Sequence, residues 1–228
     1  MARKLSNSKR QKRELKVPRP IREGNIKVPY EGWLEAAKVV LIEEGIGFVR
    51  VDRLAKRLKV TRGGFYYHFK SHNALLEALL DHWRNQSRFV PEQPDVSTPQ
   101  AACRALRLLT HALIHEQGFD PQFDMAVREW ARISVPVAEV MHAVDDQRVA
   151  ALRKIFAGLG YSNKEAEIRA KVLYFHQIGY YTLGAHESVR QREMNLPVYL
   201  NVLCGEKYAD AAIAVARTKA QPALEPAT

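Results

Sequence analysis

Two histidines four residues apart, His111 and His115, would share one face of a helix and could offer two imidazoles to a divalent metal. No third ligand of suitable type stands near them, so they read as ordinary helix histidines and no metal is expected. Asp145 and Asp146 read as a charge pair on a solvated helix face. Serine, histidine and aspartate all occur, but none sits in the strand-to-helix elbow that presents a nucleophile. No glycine-rich loop follows a strand to cradle phosphate. Neither catalysis nor a cofactor is expected. The better-supported chemistry is contact with a polyanion, carried by a short cationic stretch over residues 51–69.

That stretch, Val-Asp-Arg-Leu-Ala-Lys-Arg-Leu-Lys-Val-Thr-Arg-Gly-Gly-Phe-Tyr-Tyr-His-Phe, has the pattern of two short helices joined by a tight turn. Leu54, Ala55 and Leu58 fall on one face of the first, and the small Ala55 admits a crossing helix at close range. Thr61 has the place of an N-cap and opens the second helix at Arg62. Phe65, His68 and Phe69 then face inward, while Arg62, Tyr66 and Lys70, with Gly63 and Tyr67 beside them, face outward. Two glycines in so short a helix cost about 1 kcal/mol each against alanine, which close approach of the helix start to a phosphate or base edge would explain. The bland alternative is an amphipathic helix pair with a solvated cationic side.

The sequence resembles the TetR family of bacterial transcription regulators. The resemblance is carried by Val-Asp-Arg-Leu-Ala-Lys-Arg-Leu, by Val-Thr-Arg-Gly-Gly-Phe-Tyr-Tyr-His-Phe, and by Ser71 with Ala74-Leu75-Leu76. It covers residues 30–83 closely, including the Glu-Glu-Gly turn at Gly45, and the remainder only in helical layout. Two departures stand out. Lys59 replaces the family's turn glycine, so a residue with a side chain must take a left-handed or strained conformation. His72 replaces the lysine that usually follows the serine, so that implied phosphate contact is not carried over.

Charge is unevenly placed along the 228 residues, whose formal net charge is +10. Residues 1–28 hold ten Lys or Arg against two acids, and residues 50–72 hold seven against one; residues 29–49 carry −3 and residues 73–228 carry −1. The positive field therefore lies on one end of the chain, as a polyanion partner requires. Residues 1–28 are polar and contain Pro18 and Pro20, so they read as a disordered basic arm. It either lies along phosphates or an adjoining minor groove, through Arg3, Lys4, Lys9, Arg10, Lys12 and Arg13, or is a solvated tail. No apolar run long enough for a membrane span or secretory signal is present, and the two cysteines, Cys103 and Cys204, have no metal or redox spacing. A cytoplasmic location is expected.

The elements that must position the reader are helical throughout, so the fold class is all-α. A three-helix helix-turn-helix domain over 29–75 precedes a larger helical ligand-binding and dimerisation domain over 76–228. The first helix spans Tyr30 to Glu44, with Trp33, Ala37, Val40 and Leu41 inward and Gly45 as its stop. Ser71 caps a fourth helix through about Arg88. Pro91, Pro94 and Pro99 mark the boundary. Capping-box spacings at Ser97/Gln100 and Ser162/Glu165 start helices ending near Gly118 and His186. Others span Pro121 to Ile133 and Pro136 to Gly158, with a short helix after Pro197 and one from Glu206 to Arg217.

The helix from Asn163 leaves almost no polar side. Tyr174, Ile178 and Tyr181 make one apolar stripe, and Val172, Phe175, Gly179 and Leu183 a second. The second reads as a homodimer seam shared with residues 196–203, Gly179 and Gly184 allowing close approach; the alternative is a core helix within one subunit. The family resemblance implies a small-molecule effector pocket in this domain, for which Phe123, Trp130, Tyr174, Gln177 and Tyr181, with His111, are the candidate lining residues. The expected function is a ligand-responsive, sequence-specific transcription regulator, a repressor acting as a homodimer on a palindrome of double-stranded DNA. Two rivals stay open, a sequence-indifferent architectural DNA binder and an all-α enzyme.

Overall fold

Helix α1, Tyr30–Glu44, starts after Pro29, carries Glu31 in its first turn where the helix dipole favours an acid, and stops at Gly45, whose φ is 87°. Trp33, Ala37, Val40 and Leu41 form its buried side, as the periodicity predicts. A 3-10 turn, Ile46–Phe48, leads to α2, Val51–Arg57, and then to α3, Arg62–His68. The computed structural model describes residues 27–86, 90–185 and 187–205; among them the chain forms nine α-helices and no strand. The expected basic arm up to residue 26 and the expected helix from Glu206 to Arg217 lie outside the described residues.

The turn between α2 and α3 is closed by Lys59, at φ 56°. Its N–H donates to Lys56 O (3.2 Å), and the N–H of Val60 donates to Ala55 O (3.0 Å). This is the backbone arrangement that glycine usually supplies, with a lysine in its place. Helix α4, His72–Gln86, is capped by Ser71, whose hydroxyl accepts from Ala74 N–H at 3.1 Å. The end of this helix expected at Arg88 falls outside the described residues.

Helices α5 (Pro99–Ile114), α6 (Pro121–Ala131), α7 (Val135–Gly158), α8 (Asn163–Thr182) and α9 (Val189–Cys204) build the body. Two apolar cores hold the described chain together. The first joins α1 to α4 with Phe123, Val127 and Trp130 of α6 and Val137, Met141 and Val144 of α7. The second joins α5, the later part of α7, α8 and α9. The first core thus runs without a break from the helix-turn-helix through α4 into α6 and α7 of the body. An ion pair adds a second tie: Lys38 Nζ on α1 lies 2.8 Å from Asp120, whose other oxygen caps α6 by accepting from Phe123 N–H.

Several expected boundaries are corrected. Helix α5 is capped by Thr98, not Ser97, because the Ser97 hydroxyl donates to Asp95 at 2.7 Å and is already committed. It ends at Ile114 rather than near Gly118, since Glu116 takes a left-handed φ of 52°. Helix α8 stops at Thr182 because Gly184 has φ 63° and closes a terminal turn, with Ala185 N–H donating to Tyr180 O. Gly184 is therefore a helix stop and not a site of close helix approach. Helix α9 begins at Val189 under a Ser188 cap and runs through Pro197 instead of starting after it. The proline removes one ladder bond, and burial of Leu200 and Leu203 carries the helix past it.

Candidate nucleic-acid interface

Helix α3 presents its polar side outward because Phe65 and Phe69 anchor the other side. Phe65 packs edge-on against Trp33 at 5.5 Å and stacks on Phe69, which in turn stacks on Tyr30. His68 Nε2 lies 2.9 Å from Val28 O, which ties the chain before α1 to the back of this helix. His72 Nε2 lies 2.6 Å from Val49 O, so the histidine at the family's lysine position is engaged with the domain's own backbone.

On the outer side Tyr66 and Tyr67 are 60% and 83% exposed, an extent at which two aromatic side chains gain little from the free protein. Arg62, Gly63 and Lys70 are exposed with them, so this short helix brings the expected contact residues onto one surface. Thr61 stands at the N-cap with extended backbone, but its hydroxyl accepts no hydrogen bond; its carbonyl accepts from Gly64 N–H at 3.1 Å. The expected side-chain cap is thus absent, leaving this hydroxyl without a role in starting the helix. A Cβ built at Gly63 or Gly64 would meet nothing closer than 3.6 Å, so packing within the protein does not demand glycine at either place.

Acids of the neighbouring helices hold several of the cations. Arg62 pairs with Asp52, Arg53 with Glu44, and Arg57 with Glu43. Each pair is exposed and contributes little to stability, but it orients a guanidinium beside the reading helix.

Behind the reader lies a polar cluster that helical spacing alone did not assemble. Trp83 of α4 donates its indole N–H to Asp124 of α6 at 3.1 Å. Arg128, one turn along α6, donates from Nε to Asp124 (3.0 Å) and from both terminal nitrogens to Asp145 of α7 (2.9 and 2.8 Å). Arg148 of α7 donates to Asp124 (3.4 Å) and to the Tyr174 hydroxyl of α8 (3.1 Å), and Tyr174 donates to Asp145 at 2.5 Å. Four helices therefore meet in one network. Burial pushes the Asp145 carboxyl up, but the hydrogen bonds and charge of Arg128 outweigh it and hold the group below its ordinary value. Tyr174 is pushed up to about 12, chiefly by burial. Asp145, expected on a solvated face, is corrected to a member of this cluster, while Asp146 is exposed. The spacings Asp124/Arg128 and Asp145/Arg148 are helical ion-pair spacings and are the sequence signal that was available.

The candidate pocket residues do not line a single chamber. Phe123 and Trp130 are buried in the first core, and Tyr174 belongs to the polar network. Gln177 lines a cavity of about 60 Å³ between α5, α8 and α9, and Tyr181 lines a cleft of about 590 Å³ between α6, α7 and α8. His111 lies against His115 at 4.2 Å, and His115 reaches Glu193 at 3.2 Å. Among the described residues no cluster of three or more metal-binding side chains occurs. On α8, Val172, Phe175 and Leu183 are exposed, Gly179 has nothing within 4 Å of a built Cβ, and Leu173, Tyr174 and Gln177 face inward.

The described chain is thus a helix-turn-helix head on a larger all-helical body, an arrangement met in DNA-binding transcription regulators. Residues 34–79 match the family model of bacterial regulatory proteins, tetR family. Over 54 residues the chain is 35% identical to the Transposon Tn10 TetC protein of Escherichia coli, a stretch amounting to 24% of this chain and 27% of that protein. The match thus spans about a quarter of the length of that relative. Two solved structures are similar over nearly the whole chain. A transcriptional regulator from Rhodococcus sp. Rha1 is 20% identical with a TM-score of 0.51, covering 86% of this chain and 100% of its own. A TetR-like transcriptional regulator from Rhodococcus sp. RHA1 is 17% identical with a TM-score of 0.52, covering 89% and 100%. At these identities they speak to the fold alone.

Proposed function

We propose that the protein is a sequence-specific transcription repressor that acts in the cytoplasm as a homodimer on a palindromic operator and releases it when a small-molecule effector binds the body. The observation that carries the reading is the outward face of α3 and the bend after it, where Arg62, Tyr66, Tyr67 and Lys70 are exposed together over an aromatic anchor. Arg62 or Tyr67 is assigned to base edges, and Tyr66 and Lys70 to phosphates. The homodimer is supported by the apolar strip of Val172, Phe175 and Leu183 on α8, continued by Val198 and Val202 on α9, all at least half exposed. Effector response requires a ligand that favours one of two arrangements of α4, and the network from Trp83 to Tyr174 supplies a connection between α4 and α8.

Selection of bound duplexes from a random pool tests the reading. The expected product is one palindromic sequence whose half-sites are one or more helical turns apart. Recovery of no preferred sequence, with equal affinity for specific and scrambled duplexes across a salt titration, would replace it with an architectural binder.

A further inference from the structure

The cavity between α5, α8 and α9 has walls of Leu113, Leu173, Leu196 and Leu203, with Gln177 and the charged Glu187 and Arg192 also among its lining residues. Gln177 is only 7% exposed, and its amide nitrogen, shielded from water, has no hydrogen-bond partner. A buried N–H donor left unpaired is costly, and native proteins keep few of them. The larger cleft between α6, α7 and α8 makes a different case. There Arg128 is paired with Asp145 and Arg132 with Glu129, so its charged groups satisfy one another.

We propose that the smaller cavity is a binding site for a small, largely apolar molecule carrying one hydrogen-bond-accepting oxygen, which accepts from the Gln177 amide N–H. Its biological meaning rests on the effector-responsive reading above; its chemistry does not. At about 60 Å³ the cavity is smaller than the ~150 Å³ that holds benzene in an engineered protein, so an occupant either extends through its open side or pushes one wall back. Helix α9 can give only at its middle, since Arg169 donates to Leu203 O and Tyr161 to Cys204 O at its end. Pro197 interrupts its ladder, and Arg192 pins its first half to the end of α5 by donating to Leu113 O (2.7 Å) and Ile114 O (3.1 Å). The same helix carries Val198 and Val202 of the proposed seam. On α8, Tyr174 stands one turn from Gln177 and joins the network that ends at Trp83, so displacement here reaches both the seam and the reading head.

The test uses cyclopentanone, an apolar ring with one carbonyl, on the full chain with labelled methyl groups. The expected result is saturable shifts at Leu113, Leu173, Leu196 and Leu203. Gln177→Leu is expected to raise Tm, because the unpaired amide is gone, and to weaken cyclopentanone binding roughly fivefold or more, the worth of one hydrogen bond. Gln177→Met serves as a second variant of similar volume with the same two expectations. Absence of those shifts, equal binding by wild type and both variants, or a lower Tm in both variants would overturn the proposal while leaving DNA binding untouched. Cyclopentanone binding as expected with unchanged affinity for the selected duplex would uphold the site and remove the effector reading instead.

Discussion

Arg62 is where the proposed contact with DNA would compete with a contact inside the protein, because Asp52 already holds its guanidinium at the surface. The exposed pair is easily exchanged for a guanine edge or a phosphate. Arg62→Ala is expected to cost about 1–3 kcal/mol of operator affinity and to relax preference at one base position. Binding isotherms on a set of single-base operator variants check this; an equal loss on all of them would assign Arg62 to the backbone. Gly63 is a matching case in which stability and function oppose one another. A Cβ there has ordinary room in the free protein, so Gly63→Ala should stabilise the fold by roughly 0.5–1 kcal/mol through helix propensity. The same substitution should weaken DNA binding, since the helix start could no longer approach as closely. Denaturant unfolding and operator titration of one preparation would show both signs.

At the level of elements, the network of α4, α6, α7 and α8 makes stability depend on acid. The folded Asp145 carboxyl lies below its ordinary value of 3.8, so its contribution is present above that pH and is lost as pH falls through the folded value. Wild-type Tm should therefore be level from neutral pH down to about 5 and fall steeply below about 4. Asp145→Asn should lose on the order of 3 kcal/mol at neutral pH, because Arg128 and Arg148 keep their burial with one acceptor fewer, and should show a shallower acid limb. Calorimetry across pH on both proteins checks this; parallel acid limbs would remove Asp145 from the account. Helix α8 gives the second expectation at this scale. Gly179 has open space around a built Cβ, so Gly179→Glu fits within the subunit and should split the proposed dimer while helical content stays in place. DNA affinity should then drop to that of a single half-site. Sedimentation and circular dichroism of the variant would decide it, and an altered protein that remains a dimer would move the seam elsewhere.

For the molecule as a whole, the charge field and the two cores divide the work. The helix-turn-helix and the residues before it carry nearly all of the net positive charge, while the body is close to neutral, so long-range attraction would orient the head toward a polyanion such as the proposed DNA partner. Removing residues 1–26 should lower affinity on all duplexes alike and flatten the salt slope by roughly 0.9 for each phosphate that the arm no longer neutralises. The truncation ends there because Val28 packs against the first core and its carbonyl meets His68. Thermal unfolding should be unchanged by this deletion; a large fall in Tm would show that the arm is packed on the body.

The helical class, the reading helix and its outward residues were legible in the sequence because they rest on local physics. Periodicity sorted Phe65 and Phe69 from Arg62, Tyr66 and Lys70, and the missing turn glycine announced the left-handed Lys59. Trp33, Ala37, Val40 and Leu41 were likewise placed inward by spacing alone. Local signals misled where two were available, as at Ser97 beside Thr98, or where a proline was read as a start although the helix runs through it. What required the packed chain was every contact between residues far apart in sequence. Asp145 looked like half of a solvated pair until α6 and α8 brought Arg128 and Tyr174 to it, and Gln177 looked like one more pocket residue until α5 and α9 closed over its amide. Helical spacing says which residues share a face, but burial of a charge and satisfaction of a donor depend on which other helix covers that face, and that is set by the packing of the whole core.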